Sequence, residues 1–141
     1  MRTIKFRGKD IETGEWLYGH FFQRLGHYPA IVEPRPRDGK IMYCEIAVED
    51  NTVGQFTGLT DKNGKEIYEG DIVKTKQFGK IHKEVNYAGY DIFEIQYINA
   101  QFMFFNEQRQ FYLHRNTFCE IIGNIHDNFE LLKGGANETT R

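Results

Sequence analysis

The chain has 141 residues, about one domain's worth on ordinary size priors. Its 18 Lys and Arg against 20 Asp and Glu leave a formal charge of -2, which excludes a strongly basic nucleic-acid binder and a self-repelling disordered chain. With 12 Phe, 8 Tyr and 1 Trp it can bury a core without metal or disulfide staples. The two cysteines, Cys44 and Cys119, lie far apart in apolar runs and suggest a reducing compartment rather than a disulfide framework. The first residues are basic but lead into no apolar stretch, so no signal peptide is expected there. No run approaches the roughly 18 apolar residues of a membrane span. The expected location is the cytosol.

The dominant period along the chain is two. Ile4 and Phe6 alternate with Lys5 and Arg7, which predicts apolar side chains on one face of a strand and charge on the other. Residues 10–14 are a polar turn, and residues 15–22 a second strand that completes an opening hairpin. Residues 28–33 read as another short strand. The run Pro34-Arg35-Pro36-Arg37-Asp38-Gly39 predicts an exposed loop, because two prolines exclude helix. Residues 41–48 form the next strand.

A second part begins near residue 51. Residues 53–59 and 66–68 flank Asn63-Gly64, which predicts a type I′ hairpin turn with positive φ at both central residues. Glu69-Gly70-Asp71 is a second tight turn, launching a strand over 72–75. A polar loop over 77–84 and strands over 85–87 and 92–97 follow. Residues 102–105 and 111–113 make one more hairpin, and 119–125 the last strand. One helical turn is expected, N-capped by Asp127 or Asn128, carrying Phe129, Leu131 and Leu132 and ended by Gly134-Gly135. Short strands at this spacing suggest a small barrel or sandwich.

Three blocks carry a family resemblance. They are Ile4-Lys5-Phe6-Arg7-Gly8-Lys9-Asp10, the long run over 52–73 around Asp61-Lys62-Asn63-Gly64-Lys65, and the ending over 120–132. Together they resemble the YopX family of phage and prophage proteins, in the right order and over nearly the whole chain. The resemblance implies a phage-derived accessory protein with an SH3-like barrel in its C-terminal part, and it brings no catalytic residues. Phe129 stands where relatives commonly have proline, which would lengthen the terminal helical turn.

Each possible chemistry has a plainer structural reading. Glu66, Glu69 and Asp71 are carboxylates near one turn, as a divalent cation requires, yet Gly70 and Asp71 are equally the parts of a tight turn. The only Asp-x-Lys that a metal nuclease might use, Asp38-Gly39-Lys40, lies in the proline-rich segment. The histidines 20, 27, 82, 114 and 126 form no zinc-binding spacing, and His114 and Cys119 fall on opposite strand faces. No phosphate-binding glycine loop is present. Lysines are locally dense at 62, 65, 74, 76, 80 and 83, with a third basic patch at Arg35, Arg37 and Lys40, and tyrosines 68, 87 and 90 offer rings for stacking on bases. Phe21-Phe22 and the run over 102–105 break alternation, which signals burial on both faces or an interface.

These readings combine into a mainly β protein. An N-terminal β-hairpin subdomain over 1–50 precedes an SH3-like barrel over 51–133, with one short C-terminal helix and a disordered tail over 134–141. No catalytic residue, metal site or cofactor is expected, and the chain reads as a binding or assembly module rather than an enzyme. It is expected to form a homo-oligomer and to meet a host or phage protein in the bacterial cytosol, away from membranes. Oligonucleotide binding is the alternative, and a metal-dependent enzyme comes third. The candidate contact surface is Lys62, Asn63, Lys65, Tyr68, Glu69, Asp71 and Lys74, because loops on a rigid barrel commonly carry binding residues.

Overall fold

The computed structural model describes residues 1–76, 90–113 and 119–132. The loop and strand expected over 77–87, His82, His114, Lys80, Lys83, Tyr87, Gly134-Gly135 and the tail lie outside them. The chain divides into two compact units, Met1–Gly58 and Leu59–Arg141. Both are built from antiparallel strands, and the one α-helical segment among the described residues is short, over 130–132.

In the first unit β1 (Phe6–Lys9), β2 (Trp16–Phe22), β3 (Ala30–Arg37), β4 (Lys40–Ala47) and the start of β5 (Gly54–Thr60) stand in the order β4-β3-β2-β1-β5. The core is Leu17, Ile31 and Val48, with Phe6, Ile46 and Val53 packed against it. The alternation expected at the N-terminus fails at Arg7, which is buried although charged. Its guanidinium lies 4.5 Å from the centroid of the Trp16 ring, so the ring face takes the place of water. After a 3-10 turn at Asp50–Thr52, the start of β5 pairs with β1 (Arg7↔Gly54).

The proline-rich segment is not a loop. β3 runs through Pro34 and Pro36 and pairs with β4 all the way, from Ala30↔Ala47 to Arg37↔Lys40. A strand tolerates proline where no ladder bond needs its nitrogen. Two residues apart, the two ring nitrogens face the same side, and β2 pairs with β3 only as far as Val32. The turn is Asp38-Gly39, with φ of 51° and 75°, the two positive values of a type I′ turn.

Asn63-Gly64 does not form that turn, contrary to the sequence expectation. Only Gly64 has positive φ (83°). The N–H of Gly64 donates to Asp61 O (3.0 Å), and the N–H of Asp61 donates to Lys65 O (2.7 Å). This is a type I turn closed by a glycine bulge, with Asp at its first position and Gly at its fourth.

The second unit begins as β5 ends and turns into β6 (Glu66–Tyr68). Its five-stranded sheet has the order β10-β9-β8-β7-β11: β7 (Asp71–Lys76), β8 (Tyr90–Ile98), β9 (Gln101–Phe105), β10 (Gln110–Tyr112) and β11 (Cys119–Asn124). The order is open at β10 and β11 among the described residues, so no ladder closes it into a barrel there. One face buries Val73, Phe93, Ile95, Phe104 and Cys119 together with Ile67. Phe104 also packs 5.6 Å from Phe93, centroid to centroid. Met103, pointing the other way, is buried too, while Phe102 and Phe105 are half-buried, so the run over 102–105 carries buried side chains on both faces of the sheet.

The β8–β9 hairpin turns on Asn99 and Ala100, both with positive φ (51° and 64°). An alanine there carries a steric cost that glycine does not. Ala100→Gly is expected to stabilise the protein by about 0.5–1 kcal/mol, seen as a higher urea midpoint with an unchanged slope.

At the C-terminus, the Asn124 side chain accepts from the N–H groups of His126 (3.0 Å) and Asp127 (2.9 Å). The N–H of Leu131 donates to Asn128 O, which opens the helical turn at Asn128. The Asn128 side chain bonds back to Asn124 N rather than capping forward.

Candidate functional site

The surface singled out from sequence lies at the corners around β6. Asp61 organises it. This buried carboxylate accepts from the N–H groups of Asn63 and Lys65 through Oδ1 (both 2.9 Å) and of Ile121 through Oδ2 (3.1 Å). The N–H of Lys62 also donates to Cys119 O (2.9 Å), so β11 and the turn are fixed to each other. The turn therefore presents Lys62, Asn63 and Lys65, all exposed, from a rigid base.

The other four residues are placed differently. Tyr68 and Asp71 are buried, and Tyr68 N–H donates to Asp71 Oδ2 at 2.7 Å across the Gly70 corner, where φ is 92°. Gly70 N–H donates to Ile95 O (2.8 Å), and its carbonyl accepts from Ile125 N (2.9 Å). Tyr68 and Asp71 thus build the corner and present nothing to a ligand. Glu69 is half-buried. Lys74 is half-buried as well, with its ammonium 3.7 Å from Glu120 Oε2, while Lys62 lies 3.1 Å from Oε1. The Lys62 hydrogen bond is the main reason the Glu120 carboxyl is held below its ordinary range, with the charges of Lys62 and Lys74 adding to it. Much of the basic character of this patch is therefore answered within the protein.

The remaining reactive groups are similarly engaged. Burial, reinforced by the charges of Asp61 and Asp71, pushes the Cys119 thiol up to about 11, which keeps it protonated at neutral pH and a poor nucleophile. Burial also raises the Glu94 carboxyl, against a Gln96 hydrogen bond and with the charge of Glu69 adding to it. Among the described residues no three His, Cys, Asp or Glu side chains converge in a metal-ligating group. No helix there is long and apolar enough to cross a membrane.

A surface that sequence reasoning missed is the β3–β4 ribbon. The cross-strand pairs Pro34↔Tyr43 and Pro36↔Ile41 put four apolar residues on one of its faces. Ile41 is 58% exposed and Tyr43 67%, and between them Met42 on the opposite face is 46% exposed. That other face carries Arg35, Arg37 and Lys40, with Arg35 bonded to Glu33 at 2.9 Å. The signal was available, since Asp38-Gly39 between two β-prone runs is a hairpin mark. The prolines masked it.

No curated protein matches the chain. Among solved structures it is similar to protein EF1440 from Enterococcus faecalis, at 29% identity and a TM-score of 0.56, over 94% of this chain and 99% of that one. The model for the YopX protein family matches residues 5–133, which takes in the three blocks of sequence resemblance except Ile4, and every strand described above. On that match the chain belongs to the YopX family.

Proposed function

We propose that this protein is a non-enzymatic, phage- or prophage-derived accessory protein of the bacterial cytosol, acting as a binding and assembly module. The observation that carries the reading is the ribbon face of Pro34, Pro36, Ile41 and Tyr43, apolar and in water at once. Exposed apolar patches of this kind mark contact with another protein surface. The second unit is read as SH3-like: the bonds from Lys62 N–H to Cys119 O and from Ile121 N–H to Asp61 Oδ2 draw the β5–β6 hairpin onto β11, in support of a curled barrel. Its lysine corner is a weak platform for nucleic acid, since Lys62 and Lys74 are paired with Glu120 and the Tyr68 ring is inside.

Light scattering of the protein alone and with a mixed single-stranded oligonucleotide tests this. The expected result is a mass that is a multiple of the 16.6 kDa chain and indifferent to the oligonucleotide. A monomer that binds the oligonucleotide, and loses it steeply as salt rises, would overturn the assembly reading and favour the lysine corner.

A further inference from the structure

We propose that β4 is a self-pairing edge, through which two copies of the chain join antiparallel over residues 41–45 with Tyr43 on the two-fold axis. The inference rests on the assembly reading above and names its partner as a second copy.

The backbone of the ribbon decides which groups are available. A two-residue turn makes its flanking pair, Arg37 and Lys40, the one that exchanges both hydrogen bonds. Alternation then turns the N–H and C=O groups of Lys40, Met42, Cys44 and Ile46 toward β3. Those of Ile41, Tyr43, Glu45 and Ala47 face the outer side. The Ala47 carbonyl is taken by Ile11 N–H at 3.2 Å. Ile41, Tyr43 and Glu45 keep an outer edge that no other strand covers among the described residues.

The two edges of the ribbon are not alike. By the same alternation Pro34 and Pro36 stand on the outer edge of β3, beyond the end of its pairing with β2, and neither has an N–H to offer. That is how proteins blunt an edge against added strands. β4 has eight residues, no proline and no register shift against β3. One edge is closed to a partner strand and the other is left open. The side chains agree, because Ile41, Met42 and Tyr43 expose apolar surface on both faces in succession, as suits a strand inside a sheet rather than at its border.

The edge is complementary to itself. Antiparallel pairing about Tyr43 sets Ile41 across from Glu45 of the partner subunit and Tyr43 across from Tyr43 of the partner subunit. Every outward residue then meets an outward residue, giving about six backbone hydrogen bonds from three such pairs. The arrangement is isologous and closes as a dimer.

Tyr43→Pro is the discriminating variant, because the Tyr43 N–H lies outside the β3–β4 ladder and its loss leaves that ladder whole. Tyr43→Lys is the second, which keeps the N–H and places charge on the axis. Both are expected to sediment as folded monomers where the wild type is a dimer, with association weakened at least about tenfold. In the wild type the amides of Ile41, Tyr43 and Glu45 are expected to exchange slowly with solvent and to lose that protection on dilution. A Tyr43→Pro chain that stays dimeric, with Ile41 and Glu45 amides exchanging freely in the wild type, overturns the β4 pairing and leaves the assembly reading standing. A wild-type chain that is monomeric throughout the micromolar range overturns both.

Discussion

Replacing Asp91 by alanine is expected to destabilise the protein by about 3–5 kcal/mol, the cost of stranding a buried charge. Asp91 is 6% exposed on the core face of β8, and its carboxylate takes the Arg109 guanidinium at 2.7 Å. Arg109 is delivered by a tight turn in which the Asn106 side chain accepts from the N–H groups of Gln108 and Arg109. The guanidinium sits 5.8 Å from the Phe111 ring, and its second terminal nitrogen is buried with no hydrogen-bond partner. Without Asp91 the arginine is left beside the Phe111 ring with no carboxylate and cannot neutralise itself by losing a proton. Urea unfolding of Asp91→Ala measures the loss directly. The double variant Asp91→Leu with Arg109→Met is expected to recover most of it, since the pair itself is worth little beyond an apolar replacement. If Asp91→Ala costs less than about 1 kcal/mol, the pair behaves as a solvated one, like Arg24–Glu45 on the exposed ribbon.

The contrast between these two ion pairs shows what the sequence can and cannot say. Alternation places Phe93, Ile95 and Phe104 inside, and the strands around them are legible from pattern alone. Asp91 stands two residues before Phe93 and so falls on the same face by the same rule, but a period-two reading counts it as a polar strand end. Only its cross-sheet partner, 18 residues away, makes burial tolerable. Arg7 is likewise a buried charge on a strand, and its guanidinium lies over the Trp16 ring, a residue on the neighbouring strand that period two does not point to. The β3–β4 ribbon was illegible for another reason. Proline carries a strong local signal against ladders, and it won over a hairpin mark that begins two residues after Pro36. Whether a proline breaks a strand depends on which side its nitrogen faces, and that is a property of the neighbours.

The candidate surface divides along the same line. Lys62, Asn63 and Lys65 were found because a polar, glycine-containing segment between strands must be a turn. Tyr68 and Asp71 lie on the same short stretch but are buried: β6, which ends at Tyr68, has only three residues, too few for alternation to be read, and Asp71 at the start of β7 turns its carboxylate back to the Tyr68 N–H. The residue that makes the turn what it is, Asp61, went unnoticed. Its signal was the Asp-x-x-Gly spacing of a type I turn, and the Asn-Gly pair inside that spacing suggested a different turn.

Asp61→Ala is accordingly expected to cost about 2–4 kcal/mol, from the loss of three hydrogen bonds to one charged acceptor. The three are unequal. Asn63 and Lys65 are exposed, so water can serve their N–H groups once the carboxylate is gone, whereas the Ile121 N–H is part-buried beside the β11 bulge. Asp61→Asn separates the contributions. Its remaining oxygen can still accept from Asn63 and Lys65, while its amide nitrogen turns a donor toward the Ile121 N–H. The asparagine variant is therefore expected to lose about half as much as the alanine one, and the loss should appear as faster exchange of the Ile121 amide with the Asn63–Gly64 turn intact. Asp61→Ala should release that turn as well, and with it the fixed positions of Lys62 and Lys65. If both variants unfold at the wild-type urea midpoint, the carboxylate does not hold β11 to the turn, and the rigid base assigned to this corner must come from the Lys62–Cys119 backbone bond alone.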